Sequence, residues 1–420
     1  MSRCQLVRMT AAVAACVLVC TAFASASPNV VLIYADDMGW GDVGYHGFDD
    51  VLTPNIDRIA ESGVQFSQGY VSASVCGPSR AGLLTGVYQQ RFGCGENANM
   101  AGYPDKMKHP LAGLPASQPV ISEMLKERGY YTSHIGKWHM GVDKTLRPLA
   151  RGFDEYFGFV NGAHDFEGWD GHFGDKRGRW PLWRGDAPLP ARDNVYLTDL
   201  FSDEAVAFIE RAANTEHRTP VSESSQSSTV RVAVRVDRSV NENGDANGPR
   251  GEHAPPFFLY LAYNAIHAPW QVPQKYLERT KHLSDSHERN FIAAMILAMD
   301  DGIGRVQDAL EKAGVADDTI VIFMSDNGSP RGQGLTWKPR GDVDDWQEGP
   351  MSCKAGMRGF KGDSYEGGTR VPFCMSWPGK IEPGSKYELP VSNLDIVPTV
   401  LAATLVSDRS QSSSALSLPA

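Results

Sequence analysis

The chain has 420 residues, with 40 Lys plus Arg against 50 Asp plus Glu, a net charge of −10, 42% hydrophobic and 21% charged residues. This is the balance of a globular protein, with enough length and apolar content for one large α/β domain. An acidic chain without a long Lys/Arg run argues against nucleic acid, whose phosphates need clustered cations, so an anionic substrate would have to be met by a few local ones.

Residues 1–26 read as a secretory signal peptide. Arg3 and Arg8 form a basic start, Thr10 to Phe23 is apolar, and Ala24-Ser25-Ala26 is a small-x-small cleavage site. No later stretch is apolar for the roughly 18 residues that a membrane span requires, so a secreted or periplasmic product is expected. Of seven cysteines, Cys4, Cys16 and Cys20 fall in the signal, which leaves Cys76, Cys94, Cys353 and Cys374. These make neither a disulfide scaffold nor a C-x-x-C metal site. The sequence leaves open whether Cys353 and Cys374 pair.

Asn29 to Tyr34 is a β-branched apolar run that ends abruptly in Ala35-Asp36-Asp37-Met38-Gly39-Trp40-Gly41-Asp42. Continuous apolarity predicts a strand buried on both faces, as in a parallel sheet. The same design recurs at Phe257 to Ala262, which runs into Tyr263-Asn264-Ala265-Ile266-His267, and at Thr319 to Met324, which runs into Ser325-Asp326-Asn327-Gly328. Doubly wound sheets place their sites at the carboxyl ends of strands, so these three tips are expected to meet in one crevice.

Helical periodicity lies between the strands, at Val120 to Arg128, Leu200 to Ala212 and Phe291 to Ala313. The alternation is α/β. Ile292, Met295, Ile296, Met299, Ile303, Val306 and Leu310 form a core-facing stripe, so these methionines are core residues. Residues 210–256 contain no Phe, Trp, Tyr, Leu, Ile or Met, which predicts a low-complexity surface insertion with at most a marginal strand at Thr229 to Val236. Serine-rich residues 404–420 read as a disordered tail.

Asp36 and Asp37 at one strand end, with Asp326 and Asn327 at another, offer only oxygen ligands, which suits calcium or magnesium and not zinc. Each residue alone would serve equally as a cap or turn former. The four together at two buried strand ends favour a metal.

Cys76-Gly77-Pro78-Ser79-Arg80, followed by Leu84-Thr85-Gly86, resembles the signature of the cysteine-type sulfatases, whose cysteine is oxidised after translation to Cα-formylglycine. An isolated pentapeptide of this kind would equally suit a structural cysteine beside a turn. Five further motifs stand in the family's order: Asp36 to Asp42, Gly136-Lys137-Trp138-His139-Met140-Gly141, His267-Ala268-Pro269, Ser325 to Gly328, and Lys361 ahead of Tyr365 to Pro372. The resemblance covers roughly residues 29 to 403.

It implies an alkaline-phosphatase-like fold, a large mixed and mostly parallel sheet with helices on both faces, in a catalytic domain spanning 27–403. It also implies calcium-dependent hydrolysis of sulfate esters, with magnesium as the alternative ion. By that resemblance Asp36, Asp37, Asp326, Asn327 and the modified Cys76 are the metal ligands, and the hydrate at Cys76, held by Arg80, is the nucleophile. His139 takes a proton from the second hydroxyl of the sulfated hydrate, His267 protonates the departing alcohol, and Lys137 and Lys361 bind sulfate oxygens. A formylglycine-generating enzyme is the implied partner.

Gly152 to Phe159 and Asn161 to Phe166 are most similar to the arylsulfatase B and N-acetylgalactosamine-sulfatase group, which points to sulfated carbohydrate or aryl sulfate esters as substrates. Trp169, Trp180 and Trp183 are candidate sugar-stacking faces, or buried loop tryptophans. The family's smaller C-terminal domain is expected to be absent or truncated here. Two alternative readings stand beside sulfate-ester hydrolysis: a phosphoester or phosphonate hydrolase of the same superfamily, and an inactive carbohydrate-binding remnant.

Overall fold

The computed structural model describes residues 27–97, 113–167, 181–190, 195–214, 254–330 and 356–408. The strands are β1 (Asn29–Ala35), β2 (Val64–Phe66), β3 (Gly69–Tyr70), β4 (Tyr131–Lys137), β5 (Glu155–Phe159), β6 (Trp183–Arg184) and β7 (Ala187–Pro188). They continue with β8 (Phe257–Ala262), β9 (Thr319–Ser325), β10 (Phe373–Ser376), β11 (Ser385–Tyr387) and β12 (Val391–Ser392). The helices are α1 (Pro54–Glu61), α2 (Cys76–Thr85), α3 (Ile121–Lys126), α4 (Leu197–Ala213), α5 (Gln274–Thr280), α6 (His287–Lys312), α7 (Glu366–Thr369) and α8 (Ile396–Asp408).

Among the described residues, ten strands form one sheet in the order β11-β2-β10-β9-β1-β8-β4-β5-β6-β7, with β3 and β12 paired separately. The centre, β9-β1-β8-β4-β5, is parallel throughout, and β10 and β6 flank it in antiparallel pairing. β1 is buried at every position because it has a neighbour on each side and a helical layer over each face. Val31 and Ile33 point into one core with α1, α4, α5 and α6. Val30, Leu32 and Tyr34 point into the other with α2, α3 and α8. This is the mixed, mostly parallel sheet expected from the sequence.

The three apolar runs are β1, β8 and β9, and the three periodic segments are α3, α4 and α6, close to their expected ends. α4 extends to Ala213, so residues 210–213 of the expected insertion are helical. α8 extends to Asp408, so the first residues of the expected tail are helical too. The signal sequence, the strand at Thr229 to Val236, Trp169, Trp180 and Cys353 lie outside the described residues. Trp183 sits on β6 with one face covered by the Arg147 guanidinium, 4.0 Å from the ring. Among the described residues, no helix is long and apolar enough to cross a membrane.

β4 reads as polar in sequence yet is buried after its first residue. His134 makes this workable: its ring stacks on Tyr156 (5.4 Å) and Tyr260 (4.9 Å), and Nδ1 donates to the Tyr260 carbonyl at 3.2 Å. Burial pushes this imidazole down to about 3, and that of His46 down to about 4. Both rings stay neutral in the native state while the unfolded chain takes up protons near its ordinary value. Their stabilisation is therefore complete above pH about 6.5 and is lost as the pH falls toward about 4, at about 1.4 kcal/mol per pH unit for each proton. His134→Gln should flatten that acid slope in urea denaturation repeated across the range. An unchanged slope would mean that His134 is not held neutral.

Candidate active site

Every expected site residue except Cys76, Arg80 and Lys361 stands at or just past the carboxyl end of a central parallel strand. Asp36 and Asp37 follow β1, Asp326 and Asn327 follow β9, Lys137 ends β4 with His139 two residues on, and His267 lies in the loop after β8. Backbone bonds bring these ends together. Asp36 N–H donates to the Ala265 carbonyl at 2.8 Å, and Ile266 N–H donates to the Asp36 carbonyl at 2.7 Å. Asp37 and His139 take positive φ, +67° and +59°. For Asp37 the conformation is fixed by its N–H donating to Asp326 Oδ1 at 3.1 Å, while Met38 N–H donates to Ser325 Oγ at 2.9 Å.

The loop after β1 has a further anchor that the sequence did not reveal. Asp42 Oδ2 accepts from Gly39 N–H at 2.7 Å, and its other oxygen accepts from Arg289 Nη1 of α6 at 2.5 Å. Arg289 also donates to both oxygens of Asp50, at 3.0 and 3.1 Å. One buried guanidinium thus ties two buried carboxylates to the segment that carries Asp36 and Asp37.

Cys76 opens α2, whose ten residues are all buried. Pro78 fits the first turn, where its missing N–H costs nothing, and Gly86 closes the helix at φ +67°. The helix is pinned from the far end of the chain: Asn393 Nδ2 donates to the Ser79 carbonyl at 2.9 Å, and its Oδ1 accepts from Ser72 N–H at 2.9 Å. Tyr34 and Ser79 share a hydroxyl hydrogen bond of 3.1 Å.

Three carboxylate–cation pairs organise the centre. Arg80 donates through Nε and Nη2 to Asp326 Oδ2 at 2.9 and 2.8 Å, and Lys137 Nζ meets Asp36 Oδ2 at 2.5 Å. Lys361 Nζ lies 2.6 and 2.8 Å from the two oxygens of Asp37. Burial alone would raise the Cys76 thiol, but Lys137 and Lys361, with hydrogen bonds from His139 and His267, bring it well below its ordinary value. Burial, with Asp326 close by, raises the Asp36 carboxyl well above the usual carboxylate range. Burial opposes ionisation of Asp37 as well, yet Lys361 and His267 hold it low. Burial pushes His139 down to about 4, so its ring is neutral near pH 7.

The donors fit a hard cation. Asp36 Oδ1 and Asn327 Oδ1 are buried acceptors with no hydrogen-bond partner among the described residues, and Asp37 lies beside them, bonded to Asn327 Nδ2 at 2.8 Å. Clustered buried carboxylates are costly unless a cation offsets them. Gly162 completes the wall: a Cβ there would fall 2.6 Å from His139 Nε2, so only glycine leaves that ring its place.

A family model described as Sulfatase matches residues 28–406. The chain belongs to the sulfatase family. This family member is 31% identical over 392 residues to N-acetylgalactosamine-6-sulfatase of Homo sapiens, covering 89% of this chain and 62% of that protein. It is 32% identical over 380 residues to arylsulfatase A of Homo sapiens, covering 89% and 64%. The solved structure of Ps i-CgsB in complex with k-i-k-neocarrahexaose superposes with a TM-score of 0.70 at 32% identity, over 90% of this chain and 72% of that one. The sulfatase-family chain thus spans less than two thirds of the length of the curated relatives it matches.

Proposed function

We propose that the protein is an exported hydrolase of sulfate esters on carbohydrates, with Cys76 converted to Cα-formylglycine and calcium held by Asp36, Asp37, Asp326 and Asn327. The observation that carries this reading is the meeting of Cys76, two carboxylates and His267 within 4.8 Å, ringed by Lys137, Lys361 and Arg80. The substrate class is supported by the amino-sugar sulfatase and the oligosaccharide complex among the similar proteins.

The aldehyde hydrate would supply two hydroxyls on one carbon, one to attack sulfur and one through which sulfate leaves, and calcium would lower the pKa of the attacking group. Lys137 and Lys361 supply fixed positive charge where sulfuryl oxygens become more negative. Both are neutralised by Asp36 and Asp37 in the resting pocket, so an incoming sulfate competes for charges that are already in place. His267 donates from Nδ1 to the Ala268 carbonyl at 2.6 Å, which aims Nε2 at the pocket, where the doubly protonated ring can hand its Nε2 proton to the leaving alcohol. His139, neutral because it is buried, suits the opposite task of accepting one. Arg80 holds Asp326, and its Nη1 donates to the Lys137 carbonyl at 3.3 Å, so it fixes a metal ligand and a sulfate-binding lysine together.

The test is free sulfate released from a panel of sulfated glycans and one aryl sulfate, against matched aryl phosphate monoesters and diesters. Sulfate release should dominate, in protein whose Cys76 peptide carries the aldehyde by mass spectrometry. Cys76→Ala should be folded and inactive. Faster cleavage of the phosphate esters would favour the phosphoesterase alternative. Glycan binding without turnover, at full conversion of Cys76, would leave only the binding remnant.

A further inference from the structure

The donor set that meets in this pocket changes its chemical character with the state of one residue. As encoded, Cys76 contributes sulfur, and Cys76, His267, Asp36 and Asp37 place their donor atoms within 4.8 Å of one another. We propose that the unconverted chain binds a thiophilic divalent cation, zinc being the type, through Cys76 Sγ, His267 Nε2 and the carboxylates of Asp36 and Asp37. The inference rests on the sulfatase reading only in treating the thiol form as the precursor.

The distances suit it. Tetrahedral zinc holds sulfur at about 2.3 Å and nitrogen or oxygen at about 2.0–2.2 Å, so neighbouring donors stand about 3.3–3.7 Å apart, and a 4.8 Å cluster closes by shifts of about 1 Å. His267 Nε2 already lies 3.9 Å from Asp37 Oδ2. A carbonyl oxygen can only accept, so the 2.6 Å contact with Ala268 keeps a proton on Nδ1, and the neutral ring then offers the lone pair of Nε2 to a metal. Metal-binding histidines are oriented in this manner, with the far ring nitrogen donating to a carbonyl or carboxylate. Asp36 Oδ1 is a fully buried acceptor without a hydrogen-bond partner among the described residues.

Sulfur and imidazole select zinc over calcium, which takes six to eight oxygens in a larger sphere. Binding breaks the S–H bond and forms a sulfur–metal bond, and the proton passes to solvent. The metal competes with two ammonium groups for these carboxylates, Lys361 on Asp37 and Lys137 on Asp36. Conversion of Cys76 removes the sulfur and leaves an oxygen set that includes Asp326 and Asn327. One covalent change therefore exchanges a zinc pocket for a calcium pocket, and zinc on the thiol form closes that pocket to sulfate. Cys94 and Cys374 lie elsewhere, their sulfurs directed at the Gly113 and Ile56 carbonyls.

The experiment uses the full chain made in a host without the converting enzyme, with the Cys76 thiol verified by peptide mass spectrometry. Cobalt(II), titrated without oxygen, stands in for zinc. The expected spectrum has a thiolate-to-cobalt charge-transfer band and the intense visible bands of four-coordinate cobalt, both abolished by zinc and not by excess calcium. Cys76→Ser should lose the charge-transfer band, and His267→Gln should weaken cobalt binding by more than about tenfold at unchanged circular dichroism. X-ray absorption on the zinc-loaded parent, which needs no variant, should find one sulfur at about 2.3 Å and one imidazole. Weak six-coordinate bands, or a charge-transfer band that survives Cys76→Ser, would overturn the proposal. Either result leaves sulfate release by the converted protein untouched, so the two readings stand or fall separately.

Discussion

Arg289→Met is expected to lower the free energy of unfolding by roughly 3–5 kcal/mol, because it strips a buried cation from two buried carboxylates while leaving both in place. Asp42 is fully buried and Asp50 nearly so, and Arg289 bonds to each of them. Removing one partner of such a group is far worse than replacing the whole group with apolar residues, since the remaining charges cannot reach water. Arg289→Lys should recover only part of the loss, because an ammonium cannot span two carboxylates as a planar fork does. Urea denaturation of the three proteins gives the comparison. If the proposed calcium site is correct, the same variants should bind calcium more weakly, since Asp42 fastens Gly39 in the loop that carries Asp36 and Asp37. A loss below about 1 kcal/mol would mean that water reaches this network.

Gly136→Ala should be at least as damaging. Gly136 has φ +110° on β4, and a Cβ there would lie 1.9 Å from the Ala262 carbonyl oxygen of β8. The obstacle is backbone, so relief requires the two central strands to part immediately before Lys137. The cost combines backbone strain of about 1–3 kcal/mol with broken sheet pairing, and most of the protein should fail to fold. Any folded fraction should have lost sulfate turnover. Gly129→Ala is the control: its φ is also positive, at +80°, but nothing lies within 4 Å of the added carbon. It should cost only the strain, about 1–2 kcal/mol, and leave turnover unchanged. Equal thermal stability of the two variants would refute the steric argument.

Legibility in the sequence followed how local the physical cause was. β1, β8 and β9 could be read because a strand buried on both faces needs an unbroken apolar run, and the polar residues after each run marked the crevice. β4 could not, because its polar residues are held by tertiary neighbours: Thr132 Oγ1 donates to the Gly152 carbonyl, and His134 stacks between two tyrosines. α2 was read as a motif and not as a helix, since Gly77, Pro78 and Gly82 are poor helix formers and only burial on every side holds it. The candidate site residues were each legible as members of ordered motifs, but their pairing was not. Nothing near Asp42 points to Arg289, which lies 247 residues away and reads as an ordinary solvated cation. Gly162 carried no local signal either, because its role depends on the His139 ring, which comes from the loop after β4. α4 runs on through Glu210 to Ala213 and α8 through Thr404 to Asp408, so both helices overlap the residues that composition alone assigned to the insertion and the tail.

The bond between Asn393 and Ser79 also sets a timetable. The two residues are 314 positions apart, and Asn393 holds both the backbone of α2 and the Ser72 segment that leads into it. During synthesis at about 5–20 residues per second, roughly 15–60 s pass between the emergence of the Cys76 segment and that of its clamp. For that interval α2 lacks its last anchor, and its small, glycine-containing sequence has little tendency to hold a helix alone. The helix that opens at Cys76 therefore lacks the Asn393 clamp, which arrives only with the last part of the domain. The order of elements along the chain gives any enzyme that must reach this thiol a long window before the fold shuts it away.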